Sequence, residues 1–314
     1  MSAYIFHVPQ SNEDAINAAT RCCAVYGFPI RHSASPTMQN AAFAALALNW
    51  RYLAFEVAPG QLAAAIAGAA AMRFAGLNLT VPHKLLAMEL VDRLDESAKK
   101  WGAVNTIQFQ GKTHPGDWRP LREFEHESPA EIRSVGFNTD ADGLAGSLRE
   151  DLQIQLPGSR VLLLGAGGAG RAAALKLAAE KVAELYLVNR TESKAAALAA
   201  EIKRQSPQVN IHVGYPPDKI DLVVNATSLG MKTGDALPFD EQKFSLSQAR
   251  AAYDVVYRPA ETRFLAFAKT SGCRTANGLG MLVHQGAKAF EIWTGRNPPF
   301  AVMRQAVEQS IYGH

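Results

Sequence analysis

Val161-Leu162-Leu163-Leu164-Gly165-Ala166-Gly167-Gly168-Ala169-Gly170-Arg171-Ala172-Ala173-Ala174 reads as an apolar strand, a G-x-G-x-x-G turn and an alanine-rich helix. Each glycine has its own physical task. Gly165 lets the strand turn tightly, Gly167 lets a pyrophosphate approach bare backbone, and Gly170 lets the helix pack close to the strand. Free N–H groups and the positive end of the helix dipole then face the phosphates. A second apolar strand, Leu185–Val188, follows at the spacing of a βαβ unit. The pattern predicts a dinucleotide site.

The end of that second strand narrows the ligand. An NAD site places Asp or Glu there, to bind the ribose 2′-hydroxyl. This chain has Asn189-Arg190-Thr191, with Lys194 one turn later. No acid waits for the hydroxyl, whereas a guanidinium, an ammonium and a hydroxyl are available to a 2′-phosphate. The alternative, a solvated first helical turn with Thr191 near its N-cap, leaves two cations opposing the helix dipole. The sequence therefore points to NADP.

Outward from the glycine turn, the second half continues with strands at Val209–Val213, Leu222–Asn225 and Ala252–Val256. The first half alternates in the same way. Strands are predicted at Ala24–Phe28, Tyr52–Val57 and Phe74–Val81, with helices from Pro36 through Trp50, from Gln61 to Met72, and from near Pro82. This is the pattern of two α/β domains in tandem, the first built on a mostly parallel sheet and the second a Rossmann domain, with a cleft between them. Gln108 to Arg133, rich in charge, Gly and Pro, predicts a long loop or elaborated hairpin, most simply a solvated loop; His114 and His126 in it lack ligand spacing.

With 314 residues, 48% of them hydrophobic, the chain can bury two cores. A net charge of +3 without a Lys/Arg block gives no nucleic-acid face. Met1–Ala15 lacks a signal-peptide pattern, and the alanine-rich Leu62–Met72 is too short to span a bilayer. Three cysteines, Cys22, Cys23 and Cys273, form neither a metal spacing nor a disulfide framework, so no metal and a reducing cytoplasm are expected.

Four further segments bear chemistry. In Gly27-Phe28-Pro29-Ile30-Arg31-His32-Ser33-Ala34-Ser35-Pro36, Ser35 either caps the helix that Pro36 begins or joins Ser33 in binding a carboxylate. In Gly76–Lys84 a strand delivers Asn78 and Thr80 to one face, and Lys84 opens a helix where a cation opposes the dipole. In Gly136–Asp140 the Asp is either an N-cap or a functional carboxylate. Asn277–Gln285 is a glycine turn opening a helix, with Gln285 on the face of Met281.

Together, and with Gly102-Ala103-Val104-Asn105-Thr106, Asn225–Met231 and Asp254-Val255-Val256-Tyr257, these segments resemble the shikimate dehydrogenase family from about Tyr26 to near the C-terminus. The resemblance implies reversible NADPH-dependent reduction of 3-dehydroshikimate to shikimate, in aromatic amino acid and chorismate biosynthesis. It implies a substrate domain of residues 1–138 with 281–314 and an NADP-binding domain of residues 139–280. Lys84 and Asp140 become the catalytic pair, and Ser33 and Ser35 hold the carboxylate. Asn78, Thr80, Asn105, Tyr257 and Gln285 line the pocket, and Thr227 and Val255 meet the cofactor. Gly278 and Met281 border the nicotinamide. A quinate/shikimate dehydrogenase of broader specificity and a non-catalytic ligand sensor are the alternatives. A monomer or homodimer is expected. The chain departs from the family pattern at Met38-Gln39-Asn40, where His-Asn is common and altered packing is expected, and in the length of Gln108–Arg133.

Overall fold

The computed structural model describes residues 16–313 except 115, 126 and 233, so residues 1–15 and His126 lie outside the described residues. The chain divides into two compact units. One runs up to Lys99 and includes Ala103–Asn138 and Gly286–Ser310; the other comprises Lys100–Gly102, Thr139–Gln285 and the chain from Ile311.

In the first unit β1 (Arg21–Gly27), α1 (Ser35–Ala45), β2 (Trp50–Glu56), α2 (Leu62–Ala71), β3 (Gly76–Leu79) and α3 (His83–Leu86) follow in order. β4 (Arg93–Leu94), α4 (Glu96–Trp101), β5 (Thr106–Lys112), β6 (Trp118–Pro120) and β7 (Ile132–Phe137) complete the sheet. Its order is β2-β1-β3-β5-β7-β4, with β6 beside β5. The three strands specified by the βαβα pattern pair in parallel, and β5 continues the sheet antiparallel to both β3 and β7. Alternate residues of β1 feed opposite faces, and both faces are covered, so Cys23 to Tyr26 are all buried. Ala24 and Tyr26 pack with α2 through Leu62, Ile66 and Ala69. Behind the other face, Trp293 Nε1 donates to the Ile107 carbonyl at 2.9 Å.

Two sequence expectations change here. The helix from Pro36 stops at Ala45 rather than reaching Trp50, because Ala47 adopts φ +50° and the chain turns into β2. The Gln108–Arg133 segment is an elaborated hairpin and not a solvated loop. Leu121 and Phe124 are buried in the first unit's core, and Arg122 Nη1 reaches the Ile292 and Trp293 carbonyls at 3.1 and 3.2 Å. Its polar composition hid two apolar anchors.

In the second unit α5 (Asp140–Leu152) precedes β8 (Arg160–Leu164), α6 (Gly168–Ala179), β9 (Glu184–Val188), α7 (Glu192–Gln205), β10 (Asn210–Val213) and β11 (Ile220–Asn225). β12 (Ala249–Asp254), α8 (Arg263–Thr270), β13 (Arg274–Ala276) and the start of α9 (Leu279–Thr294) follow; the rest of α9 and most of α10 (Phe300–Tyr312) belong to the first unit. The sheet order is β10-β9-β8-β11-β12-β13, and every pairing is parallel. Numbered from β8, this is 3-2-1-4-5-6, the doubly wound order whose ligands lie where the strand order reverses, beyond the carboxyl ends of the strands. Val161 and Leu163 enter one core and Leu162 and Leu164 the other, so β8 is sheathed on both faces.

Candidate active site

The glycine turn leaves β8 at that switch point. Gly165 has φ +106°, which favours glycine. A Cβ at Gly170 would collide with the Gly165 carbonyl, so α6 docks against the turn only because that side chain is absent. A Cβ at Gly167 or Gly168 would meet nothing within 4 Å. The backbone there is open at the N-terminus of α6, which fits a pyrophosphate.

Asn189, at the end of β9, braces this turn. Its Oδ1 accepts from the Ala166 N–H at 2.9 Å and its Nδ2 donates to the Thr191 carbonyl at 2.8 Å. Arg190, Thr191 and Lys194 are exposed. Thr191 is the N-cap of α7 but its hydroxyl caps nothing, and Arg190 and Lys194 have no ion-pair partner among the described residues. Cations left uncommitted beside the glycine turn fit a 2′-phosphate.

The neighbouring strand ends carry a buried polar frame. Asp254 is fully buried and accepts from Asn225 Nδ2 (3.0 Å), the Val256 N–H (3.0 Å) and Thr262 Oγ1 (2.6 Å). Burial pushes its carboxyl above the ordinary 3.8, and these three donors hold it partly down. Asn225 Oδ1 accepts from the Thr227 amide and hydroxyl at 3.0 and 2.7 Å. Gly278 is forced by closeness, since a Cβ there would strike the Val255 carbonyl. Tyr257 is half-buried, which raises its phenol, and its carbonyl accepts from Tyr312 Oη at 2.6 Å. Met281 and Gln285 share a face of α9, packed so closely on Gly143 that a Cβ there would lie 2.9 Å from the Met281 carbonyl and 3.0 Å from Gln285 Cβ. Asp140 is the first residue of α5 and not its N-cap, which is Thr139, so its carboxylate sits in the first turn, where the dipole favours it.

In the first unit, Asn78, near the end of β3, donates through Nδ2 to the Asn105 carbonyl (3.1 Å) and to Thr106 Oγ1 (3.0 Å). Tyr52 Oη donates to Asn78 Oδ1 at 2.6 Å. Ser35 is not an N-cap either; α1 begins at Ser35 after Ala34, without a side-chain cap. Its N–H donates to Ser33 Oγ at 3.3 Å. Thr80 is half-buried beside Gly27, where a Cβ would lie 2.5 Å from the Thr80 methyl. Lys84 is half-buried in α3, a single turn, so the dipole argument made from the sequence has little helix behind it. Its carbonyl accepts from the Val104 N–H at 2.9 Å, tying it to the segment that leads through Asn105 into β5. Gln39 is buried and donates to the Gly286 carbonyl at 2.9 Å, a packing role as expected. Among the described residues no group of His, Cys, Asp and Glu is placed to hold a metal ion.

The model of the shikimate dehydrogenase substrate-binding domain matches residues 25–107, that of shikimate/quinate 5-dehydrogenase matches 147–229, and that of the shikimate 5′-dehydrogenase C-terminal domain matches 278–308. Shikimate dehydrogenase (NADP(+)) of Methanopyrus kandleri is 40% identical over 305 residues, 95% of this chain and 98% of that protein. The chain belongs to the shikimate dehydrogenase family. Solved members of the shikimate dehydrogenase family superimpose along nearly the whole chain. One, in complex with NADP+, has a TM-score of 0.80 and 36% identity, covering 95% of this chain and 98% of that one. Another, from Thermus thermophilus in complex with NADP(H) and shikimate, has a TM-score of 0.76 and 34% identity, covering 92% and 99%.

In this member of the shikimate dehydrogenase family, the sequence reading passed over five polar residues that hold the candidate ones in place: Tyr52, Thr106, Asn225, Asp254 and Thr262. Thr106, Asn225 and Asp254 lay in quoted segments, but only folding shows that their side chains bond to candidate residues or their neighbours. Tyr52 gave no signal beyond opening a strand.

Proposed function

We propose that this chain catalyses the reversible NADPH-dependent reduction of 3-dehydroshikimate to shikimate. The observation that carries the reading is the set of neutral polar residues Ser33, Ser35, Asn78 and Asn105 in the unit that also bears Lys84, on a chain whose other unit offers an open glycine turn and uncommitted cations. A cyclic acid with one carboxylate and several hydroxyls needs short, neutral hydrogen-bonding partners, and Ser, Asn, Thr and Gln supply them.

Bound at the glycine turn, NADPH supplies the hydride. Lys84 stabilises the negative charge that develops on the ketone oxygen and gives that oxygen a proton. In the reverse direction Lys84 takes the hydroxyl proton. Asp140 orients the reacting hydroxyl. Ser33 and Ser35 bind the carboxylate; Asn78, Thr80, Asn105, Tyr257 and Gln285 fix the ring. Arg190, Thr191 and Lys194 bind the 2′-phosphate, while Asn189 acts by holding the Ala166 amide. No described helix is long and apolar enough to cross a membrane; we propose a cytoplasmic enzyme. Initial rates of NADP+ reduction with shikimate and with quinate test the reading. Turnover of shikimate with NADP+ supports it, and tight shikimate binding without turnover contradicts it.

A further inference from the structure

We propose that Tyr312 is a positioning residue for the nicotinamide end of the cofactor, its phenol clamping the Tyr257 carbonyl to the Asn277 side chain. The inference rests on the cofactor assignment proposed above. Tyr312 ends α10 and belongs to the second unit with Tyr257 and Asn277. In that unit's sheet the 2′-phosphate residues follow β9 and the glycine turn follows β8. A dinucleotide laid across the switch point therefore carries its nicotinamide toward the ends of β11 and β12. The chain leaving β12, Val255 to Ala260, forms no helix or strand, so its backbone groups need partners from elsewhere. The Gly278 N–H donates to the Val256 carbonyl at 3.3 Å. Asn277 Nδ2 donates to the Ala260 carbonyl at 2.8 Å. Between them, the Tyr257 carbonyl accepts from Tyr312 Oη at 2.6 Å.

The direction of each bond follows from the groups that make it. The Leu279 N–H can only donate, so the Asn277 atom 3.0 Å from it is Oδ1. Nδ2 is left to face the Ala260 carbonyl and, at 2.9 Å, Tyr312 Oη. The Tyr257 carbonyl can only accept, so the phenol gives it its one proton and takes the Asn277 proton on its own oxygen. Asn277 thereby has both amide protons and its acceptor engaged. It also immediately precedes Gly278, whose missing side chain lets the turn seat against the Val255 carbonyl. One hydroxyl therefore ties the backbone that bears the Tyr257 ring to the turn that leads through Gly278 to Met281. A nicotinamide bordered by these residues meets a wall already in place, so less ordering is needed on binding.

The test is Tyr312→Phe, which keeps the ring and removes one oxygen. The NADPH Kd, measured by isothermal titration, is expected to rise roughly fivefold, the effect of one lost hydrogen bond. Adenosine 2′,5′-bisphosphate carries the phosphates but no nicotinamide. Its Kd is expected to stay within about twofold, because its contacts at β8 and β9 are independent of the change. In an Asn277→Ala background Tyr312→Phe is expected to raise the NADPH Kd by less than about twofold, because residues acting through one another are not additive. An unchanged NADPH Kd, with or without a lower Tm, overturns the proposal. So do an equal rise for the bisphosphate, the signature of general loosening, and additive effects in the double variant. If Tyr312→Phe does not fold, Asn277→Ala takes its place with the same expected split between the two ligands. Wild-type turnover of shikimate is measured alongside. Its absence refutes the proposed function, while the two binding constants still decide the role of Tyr312; a wild type that does not bind NADPH overturns both.

Discussion

Arg190→Ala separates cofactor recognition from stability, because Arg190 is exposed and carries no structural duty among the described residues. It follows the strand end that Asn189 ties to the glycine turn, and no carboxylate among the described residues neutralises it. Removing it should leave stability within about 0.5 kcal/mol, the usual range for surface changes away from special features. Its contact with a 2′-phosphate is charge-assisted, worth about 1.5–3 kcal/mol. Exposure favours the lower end, and Lys194 and Thr191 remain, so a loss of about 1.5 kcal/mol, roughly tenfold, is expected in the NADP+ KM. NAD+ has no 2′-phosphate, and its KM should move by less than about twofold. The wild-type KM for NADP+ should also rise with ionic strength, and the variant's should rise less. Steady-state kinetics with both cofactors at two salt concentrations measure all of this. An equal change in both KM values would refute the 2′-phosphate assignment; a large fall in Tm would refute the claim that Arg190 is structurally idle.

Lys84→Ala should lower kcat by about two orders of magnitude or more with little change in the shikimate KM, as for a group acting mainly in the transition state; near-normal turnover removes Lys84 from the chemistry. Gly170→Ala and Gly167→Ala should behave oppositely. The first drives a Cβ into the Gly165 carbonyl and should cost about 1–3 kcal/mol in denaturant unfolding, while the second meets open space and should raise the NADP+ KM with Tm nearly unchanged. Asp254→Ala orphans three buried donors and should cost about 3 kcal/mol or more. Asp254→Asn keeps the frame and should alter the pH profile. The folded-state carboxyl titrates above its ordinary 3.8, so its stabilisation is complete below that value and is lost as pH rises through the folded-state value. The Asn variant's Tm should therefore gain on wild type as pH rises from about 3 to 7, and a constant difference would count against a perturbed Asp254.

The second unit was largely legible because its information is local. Apolar runs, glycines and intervening helices repeat in order, and the roles of Gly165, Gly167 and Gly170 follow from steric facts that a sequence carries. Asn189 stands beside the 2′-phosphate candidates in the sequence, yet its amide folds back onto Ala166, a pairing 23 residues apart that spacing alone does not disclose. Ser35 and Asp140 each had a plain capping explanation, and the helix starts remove it in both cases. Tyr52 escaped because its partners are non-local: Asn78 lies 26 residues away, and an aromatic residue in a strand ordinarily signifies packing. The Gln108–Arg133 segment misled for the converse reason, its charge and proline concealing Leu121 and Phe124.

The central claim is that the two halves of this chain serve one hydride transfer between NADP and a cyclic hydroxy acid. The most direct measurement is the initial rate of NADP+ reduction by the purified wild-type protein, with shikimate and quinate side by side, each repeated with NAD+. The account predicts the highest kcat/KM for shikimate with NADP+. Preference for NAD+, or no reduction with shikimate at any concentration, would contradict it.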